Sequence, residues 1–256
     1  MKIALIQSSL VWENPKANRN NFEEKINAIS EKADLIILPE MFTSGFTMNP
    51  KDVCEAMDGE TVLWLKLIAK AKNSAITGSL IIKENNNYYN RLVFVFPSGE
   101  IQFYDKRHLF TLAGEEKIYT AGKEKLIIDY LGWKICPLIC YDLRFPVFSR
   151  NAEDYDLLIY VANWPKTRIN AWDILLQARA VENMCYTIGV NRTGVDANQY
   201  EYVGHSQVVD FLGNYILEPQ EIEGVFIAEL YKEKLLDTRN KLGFLNDRDS
   251  FELKPH

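Results

Sequence analysis

The sequence predicts an α/β fold in which mixed β-sheets are layered beneath covering helices. Strand-like and helix-like segments alternate in both halves of the chain, a pattern that layers sheets under helices. Several strands are short unbroken apolar runs, such as Leu35-Ile36-Ile37-Leu38, as expected of strands buried on both faces. An Asn-rich turn, Asn85-Asn86-Asn87, joins two strand-like segments directly. That join makes a hairpin, so the sheet is mixed rather than purely parallel.

Residues 2–7 read as the first strand. Asn14-Pro15 then caps a helix, with proline at its first position. Phe22, Ile26, Ile29 and Ala33 follow at spacings of four, three and four, one apolar helix face. The run 35–38 stops at Pro39-Glu40. Residues 61–73 read as the next helix. Segments 75–82 and 91–96 are the hairpin strands, and after Pro97-Ser98-Gly99 another strand ends near Tyr104. Residues 133–140 and 157–161 are apolar strands. The helix 170–183 carries Ile174, Leu175, Ala178 and Val181 on one side. Segments 186–190, 206–210 and 225–228 are later strands. No repeat, low-complexity stretch or Ser/Gly-rich or Pro-rich linker divides the chain, so residues 1–256 read as one domain.

Hydrophobic residues make up 47% and charged residues 25% of the 256, enough apolar material for a sizeable core. The formal charge is −6 and the 29 basic residues are thinly spread, which disfavours nucleic acid and anionic membranes as partners. No apolar run reaches membrane-spanning length. The first apolar segment is ended by Gln7-Ser8-Ser9, too short for a signal peptide. A cytoplasmic protein is the expectation. The four cysteines, Cys54, Cys136, Cys140 and Cys185, form no paired zinc spacing. Cys136 and Cys140 share a strand face but lie too far apart for a disulfide. Cys54, Cys136 and Cys185 read as buried fillers. His108 and His205 have no carboxylate at metal-ligand spacing, so no metal is expected.

Three strands end in reactive residues: one in Glu40, one in Asp105-Lys106-Arg107-His108, one in Cys140-Tyr141-Asp142. Ligand sites of open α/β sheets gather beyond the carboxyl ends of strands. A resting thiol is a weak nucleophile. A neighbouring Glu could take its proton, and a neighbouring Lys would favour the thiolate and then hold the oxyanion. The Tyr141 N–H is a second donor if the chain turns sharply there. Taken singly, each residue has a plainer reading, as a solvated loop Glu, a surface Lys or an inert Cys.

The shared context lifts all three. Leu38-Pro39-Glu40-Met41-Phe42, Tyr104-Asp105-Lys106-Arg107-His108-Leu109-Phe110 and Leu138-Ile139-Cys140-Tyr141-Asp142-Leu143-Arg144-Phe145-Pro146 resemble, in order, the three signatures of the nitrilase superfamily of carbon–nitrogen hydrolases. Further matches are Ala178-Arg179-Ala180-Val181-Glu182-Asn183, Asn191-Arg192-Thr193-Gly194 and Gly204-His205-Ser206-Gln207. The resemblance implies a four-layer α-β-β-α sandwich with mixed sheets and no metal or organic cofactor. It also implies a homodimer, with the segment from about 231 an extension at the dimer interface. It implies a second glutamate in the loop after the lysine. Counting back from Thr120-Ala121-Gly122 places this at Glu115, with Glu116 adjacent.

Asn163-Trp164-Pro165 resembles the omega-amidase branch, whose small-molecule substrates are 2-oxo acid amides such as 2-oxoglutaramate and 2-oxosuccinamate. Val147-Phe148 departs from the acidic residue many relatives carry after Arg-Phe-Pro, which weakens analogies with distant branches. The substrate carboxylate needs a cation. Arg144, Lys166 and Arg168 are candidates, although Arg144 could instead brace the turn by pairing with Asp142, and Lys166 and Arg168 read as surface residues. Trp164 and Phe110 could wall a flat pocket or pack in the core. Glu, Lys and Cys alone do not separate an omega-amidase from a nitrilase, a carbamoyl hydrolase or a deaminated glutathione amidase. A non-catalytic scaffold would have no need of the three together.

Overall fold

The computed structural model describes residues 1–253; residues 254–256 lie outside the described residues. The elements are β1 (Lys2–Gln7), α1 (Pro15–Asn27), β2 (Leu35–Ile37), α2 (Glu60–Lys72), β3 (Ala75–Glu84), β4 (Asn87–Val95), β5 (Ile101–Asp105), β6 (Ile128–Tyr130), β7 (Trp133–Ile139), α3 (Pro146–Ser149), β8 (Leu157–Ala162), α4 (Ile169–Asn183), β9 (Tyr186–Asn191), β10 (Thr193–Val195), β11 (Glu201–Val203), β12 (Ser206–Val209), β13 (Tyr215–Gln220), β14 (Gly224–Glu229) and α5 (Lys232–Leu242). Two six-stranded sheets run in the orders β14-β1-β2-β3-β4-β5 and β13-β12-β9-β8-β7-β6. Both are mixed. β1, β2 and β3 are parallel, as are β7, β8 and β9, and the outer pairings are antiparallel.

The two-residue period of a strand feeds two layers at once. Ile3 and Leu5 of β1 and Leu35 and Ile37 of β2 face the second sheet, in one cluster with Ile135 and Leu138 of β7. Ala4, Ile6, Ile36 and Leu38, one residue out of step, pack under Phe22 and Ile26 of α1 and Val62 and Leu65 of α2. Each of the larger side chains, Val, Leu, Ile and Phe, contributes about 1.5–3 kcal/mol by leaving water. On the far side, α4 covers the second sheet through Trp172 and Leu176. It approaches so closely that a Cβ at Gly189 would sit 2.4 Å from Leu176. The result is the expected α-β-β-α sandwich.

The hairpin forms where the Asn residues stand. Asn85 and Asn86 both have positive φ, 49° and 66°, which asparagine tolerates in a tight turn. Its strands reach further than expected, from Ala75 to Glu84 and from Asn87 to Val95. Helix α1 is shorter than its spacing suggested and stops at Asn27. The Ile29 N–H bonds the Ile26 carbonyl at 3.2 Å, a tightened last turn, and Ala33 is buried from the loop that leads into β2. Strands β6, β10, β11 and β13 carry too little apolar alternation to be read from sequence.

The segment from 231 is docked on its own chain. Leu235 of α5 is fully buried. Asp156, itself buried, accepts from Lys232 Nζ at 2.8 Å, from Arg239 Nη1 at 3.2 Å and from the Lys134 N–H at 2.9 Å. Arg239 also donates to the Met184 and Tyr155 carbonyls. Removing the shared carboxylate leaves the Lys134 N–H without its acceptor and two cations without their counter-charge, held only by the carbonyls of Gly132, Met184 and Tyr155. Asp156→Ala should therefore lower unfolding stability by about 3 kcal/mol, read as a fall in the urea midpoint.

Candidate active site

Four strand ends converge between the sheets. β2 and β5 bring Glu40 and Lys106 from the first sheet, while β7 and β8 bring Cys140 and Asn163 from the second. Past β2, the chain turns sharply at Met41, φ 42°, and Ser79 of β3 holds that turn by accepting the Met41 N–H at 2.8 Å. Past β5, Lys106 is gripped through its backbone. Its N–H bonds the Asn90 carbonyl and its own carbonyl accepts the Gly122 N–H. Gly122 must be glycine there, since a Cβ would lie 2.1 Å from the Asp105 carbonyl oxygen.

Lys106, Glu40 and Glu115 are all buried. Lys106 Nζ donates to Glu40 Oε1 at 2.9 Å and to both Glu115 oxygens at 3.0 and 2.9 Å. Asn90 Nδ2 bridges the same carboxylates, at 2.8 Å to Glu40 and 3.3 Å to Glu115. Glu115 Oε2 also accepts the Phe110 N–H at 2.6 Å. Glu40 Oε2 accepts the Asn163 N–H at 2.8 Å, and Asn163 Nδ2 returns a bond to the Glu40 carbonyl. Of the two adjacent glutamates, Glu115 meets Lys106, whereas Glu116 is exposed.

Cys140 follows β7 with a positive φ of 44° and opens a 3₁₀ turn, Cys140–Arg144. Tyr141 therefore lies in a first helical turn, where N–H groups have no partner within the helix. Buried Asp142 pins the turn. It accepts from the Ile139 N–H at 3.0 Å, Tyr104 Oη at 2.8 Å and the His108 N–H at 3.0 Å, and His108 Nδ1 lies 2.7 Å from it.

Burial pushes the Cys140 thiol well above its ordinary range. The Glu40 carboxylate, within hydrogen-bond reach, pushes the same way, and Lys106 only opposes them. Lys106 does favour the thiolate, as expected, but burial and Glu40 outweigh it. Lys106 is already shared by Glu40 and Glu115, so its charge does not serve the thiol alone. A further anion beside these carboxylates is disfavoured. Moving the thiol proton onto Glu40 keeps the cluster's charge unchanged. Lys106 itself is held in its charged form by Glu115 and Glu40 against the cost of burial.

Glu40, Lys106 and Cys140 line a cavity of about 710 Å³ with Tyr141, Phe110, Trp164, Arg144 and Arg168. The Arg144 guanidinium lies over Trp164 at 4.9 Å and that of Arg168 over Phe110 at 5.2 Å. Asp142 is engaged elsewhere, so the alternative that it pairs with Arg144 does not hold. Arg168 is no mere surface residue either. It is half-buried in the wall, and its carbonyl accepts from Trp164 Nε1. Among the described residues neither guanidinium has a carboxylate partner. Lys166 does, pairing with Glu201 in the open. Trp164 plays both expected parts, lining the cavity and packing on Trp172. Cys136 and Cys185 are buried fillers, but Cys54 is partly exposed beside Tyr119 and Met48.

Sequence reasoning missed Asn90, and it missed that Asn163 holds Glu40. A buried Asn inside an apolar strand, as at Asn90, was the available signal. Among the described residues no group of three or more His, Cys, Asp or Glu side chains is placed to hold a metal ion, and no helix is long and apolar enough to cross a membrane.

Comparison with known proteins gives concordant matches. Residues 2–240 match the carbon–nitrogen hydrolase family. The chain is 43% identical over 254 residues to the omega-amidase YafV of Escherichia coli (strain K12), covering 99% of this chain and 98% of that one. It is 32% identical over 250 residues to the 2-oxoglutaramate amidase of Bacillus subtilis (strain 168), covering 96% of each. A carbon–nitrogen hydrolase superfamily protein from Xanthomonas campestris, with an arsenic adduct in its active site, superposes with a TM-score of 0.97 at 44% identity over 99% of both chains.

The charge balance at Cys140 makes a pH prediction. Alkylation by iodoacetamide should climb about tenfold per unit up to about pH 9 without levelling off. Glu40→Gln removes a negative charge and should move the rise to lower pH. A plateau near neutrality in the parent protein would contradict this account.

Proposed function

The chain belongs to the carbon–nitrogen hydrolase family and is a hydrolase of carbon–nitrogen bonds other than peptide bonds; from that premise we propose that it is an omega-amidase releasing ammonia from small 2-oxo acid amides such as 2-oxoglutaramate and 2-oxosuccinamate. The observation that carries this reading is the pair of guanidiniums, Arg144 and Arg168, in the wall of the cavity that holds Cys140, neither with a carboxylate partner among the described residues. An uncharged amide would leave them idle. An acid amide brings the carboxylate they lack, and charge-assisted pairing of this kind is strong. Phe110 and Trp164 supply rigid apolar area on either side.

In this reading Glu40 accepts the Cys140 proton as the sulfur attacks the amide carbon. Lys106 Nζ and the Tyr141 N–H receive the oxyanion. Protonated Glu40 then hands its proton to the leaving nitrogen, ammonia departs and a thioester remains. Water, deprotonated by Glu40, cleaves the thioester to the acid and restores the thiol. Glu115 keeps Lys106 charged and in place throughout.

Two measurements test the reading. Cys140→Ala should lower 2-oxoglutaramate hydrolysis by more than about a thousandfold; hydrolysis at the parent rate would overturn the thioester scheme. The parent should prefer 2-oxoglutaramate to butyramide, and replacing Arg144 and Arg168 together by Gln should reduce that preference about ten- to a hundredfold, scored by ammonia release. Equal use of both amides by the parent would remove the carboxylate pocket.

A further inference from the structure

Arg192 is almost wholly buried, 1% exposed, and the proposed chemistry does not use it. Among the described residues it has no carboxylate within ion-pairing distance, and its Nη1 has no hydrogen-bond partner. Burial pushes its pKa down, and nearby Tyr202 and Asp196 only partly offset this. A guanidinium kept in so costly a place calls for a compensating role.

Its contacts suggest one. Nη2 donates to the Leu10 carbonyl at 3.4 Å, two residues before Trp12 and three before Glu13, both of which line the cavity. Nη1 faces Gly45, whose added Cβ would lie 3.4 Å away, and Phe46 and Thr47 beyond it also line the cavity. Nε donates to the Thr193 carbonyl at 3.1 Å, and the guanidinium lies 4.5 Å from the centre of the Tyr202 ring. Those two residues belong to the hairpin of β10 and β11, which stands outside both sheets. Tyr202 Oη in turn donates to Asp196 at 2.9 Å, and both residues line the cavity. One side chain thus sits beneath three separate segments of the cavity wall; of these the loop after β2 also carries Glu40, five positions before Gly45 and fixed by its own bonds to Lys106, Asn90 and Asn163.

We infer that Arg192 is a positioning residue that holds the N-terminal loop, the loop after β2 and the β10–β11 hairpin in the arrangement that accepts the substrate. It acts on substrate binding and leaves the reacting groups untouched. A planar, five-donor group suits such a junction, because it bonds in several directions and stacks on a ring at once. A lysine at 192 would keep the charge and lose the fork.

The inference rests on the amidase reading, and the two fail separately. If the parent hydrolyses no acid amide, that reading fails; if it does, the Arg192 variants decide this one. Arg192→Lys and Arg192→Met are compared with Gly45→Ala, which crowds the same junction from the opposite loop. Steady-state kinetics on 2-oxoglutaramate should show KM raised at least tenfold in each folded variant, with kcat within threefold of the parent. Alkylation of Cys140 by iodoacetamide should stay within twofold, since the thiol's surroundings are unaltered. An unchanged KM in Gly45→Ala and in either folded Arg192 variant would overturn the inference. So would a kcat that falls in step with the active-site titre at constant KM, the mark of a residue needed only for folding.

Discussion

The sharing of one buried ammonium between two buried carboxylates is the interaction on which the rest of this site depends. Lys106 lies within 3.0 Å of oxygens of both Glu40 and Glu115. Burying charges costs several kcal/mol each unless they are paired and their remaining valences filled. Asn90, the Phe110 N–H and the Asn163 N–H fill those valences. Burial, together with the Glu40 carboxylate, keeps the thiol of Cys140 protonated until Glu40 takes its proton.

The cluster also explains why the two sheets must pack face to face. Glu40 and Lys106 belong to one sheet, and Cys140 and Asn163 to the other. The inter-sheet core of Leu35, Ile37, Ile135 and Leu138 is the scaffold that brings these strand ends together. Sharp turns finish the task. Cys140 and Met41 both take left-handed backbone conformations, an unfavourable state for residues with a Cβ. Asp142 holds the first turn and Ser79 the second.

Around this rigid centre the cavity wall is assembled from less regular pieces. Arg144, Trp164 and Arg168 stand on the turns after β7 and β8, and the opposite segments meet over Arg192. The division matches the two demands on such an enzyme. Reacting groups need fixed geometry, while selectivity comes from residues on loops that a scaffold positions.

The sequence by itself determined the layering and the identity of the reactive strand ends. Two-residue alternation is a local property, so residue order places Ile3 and Leu5 on one face and Ala4 and Ile6 on the other, while packing decides which face meets the second sheet. The paired asparagines at 85 and 86 likewise specify their own turn. Glu40, Lys106 and Cys140 were legible because each ends a strand inside an ordered motif. What only the tertiary structure decided are the relations across long chain separations. Asn163 holds Glu40 across 123 positions and Lys106 reaches it across 66. The place of Arg168 in the wall, the isolation of Arg144 from Asp142 and the stop of α1 at Asn27 belong here too. No local period encodes them, because a side chain's partners and charge state are set by whatever the fold brings within a few ångströms.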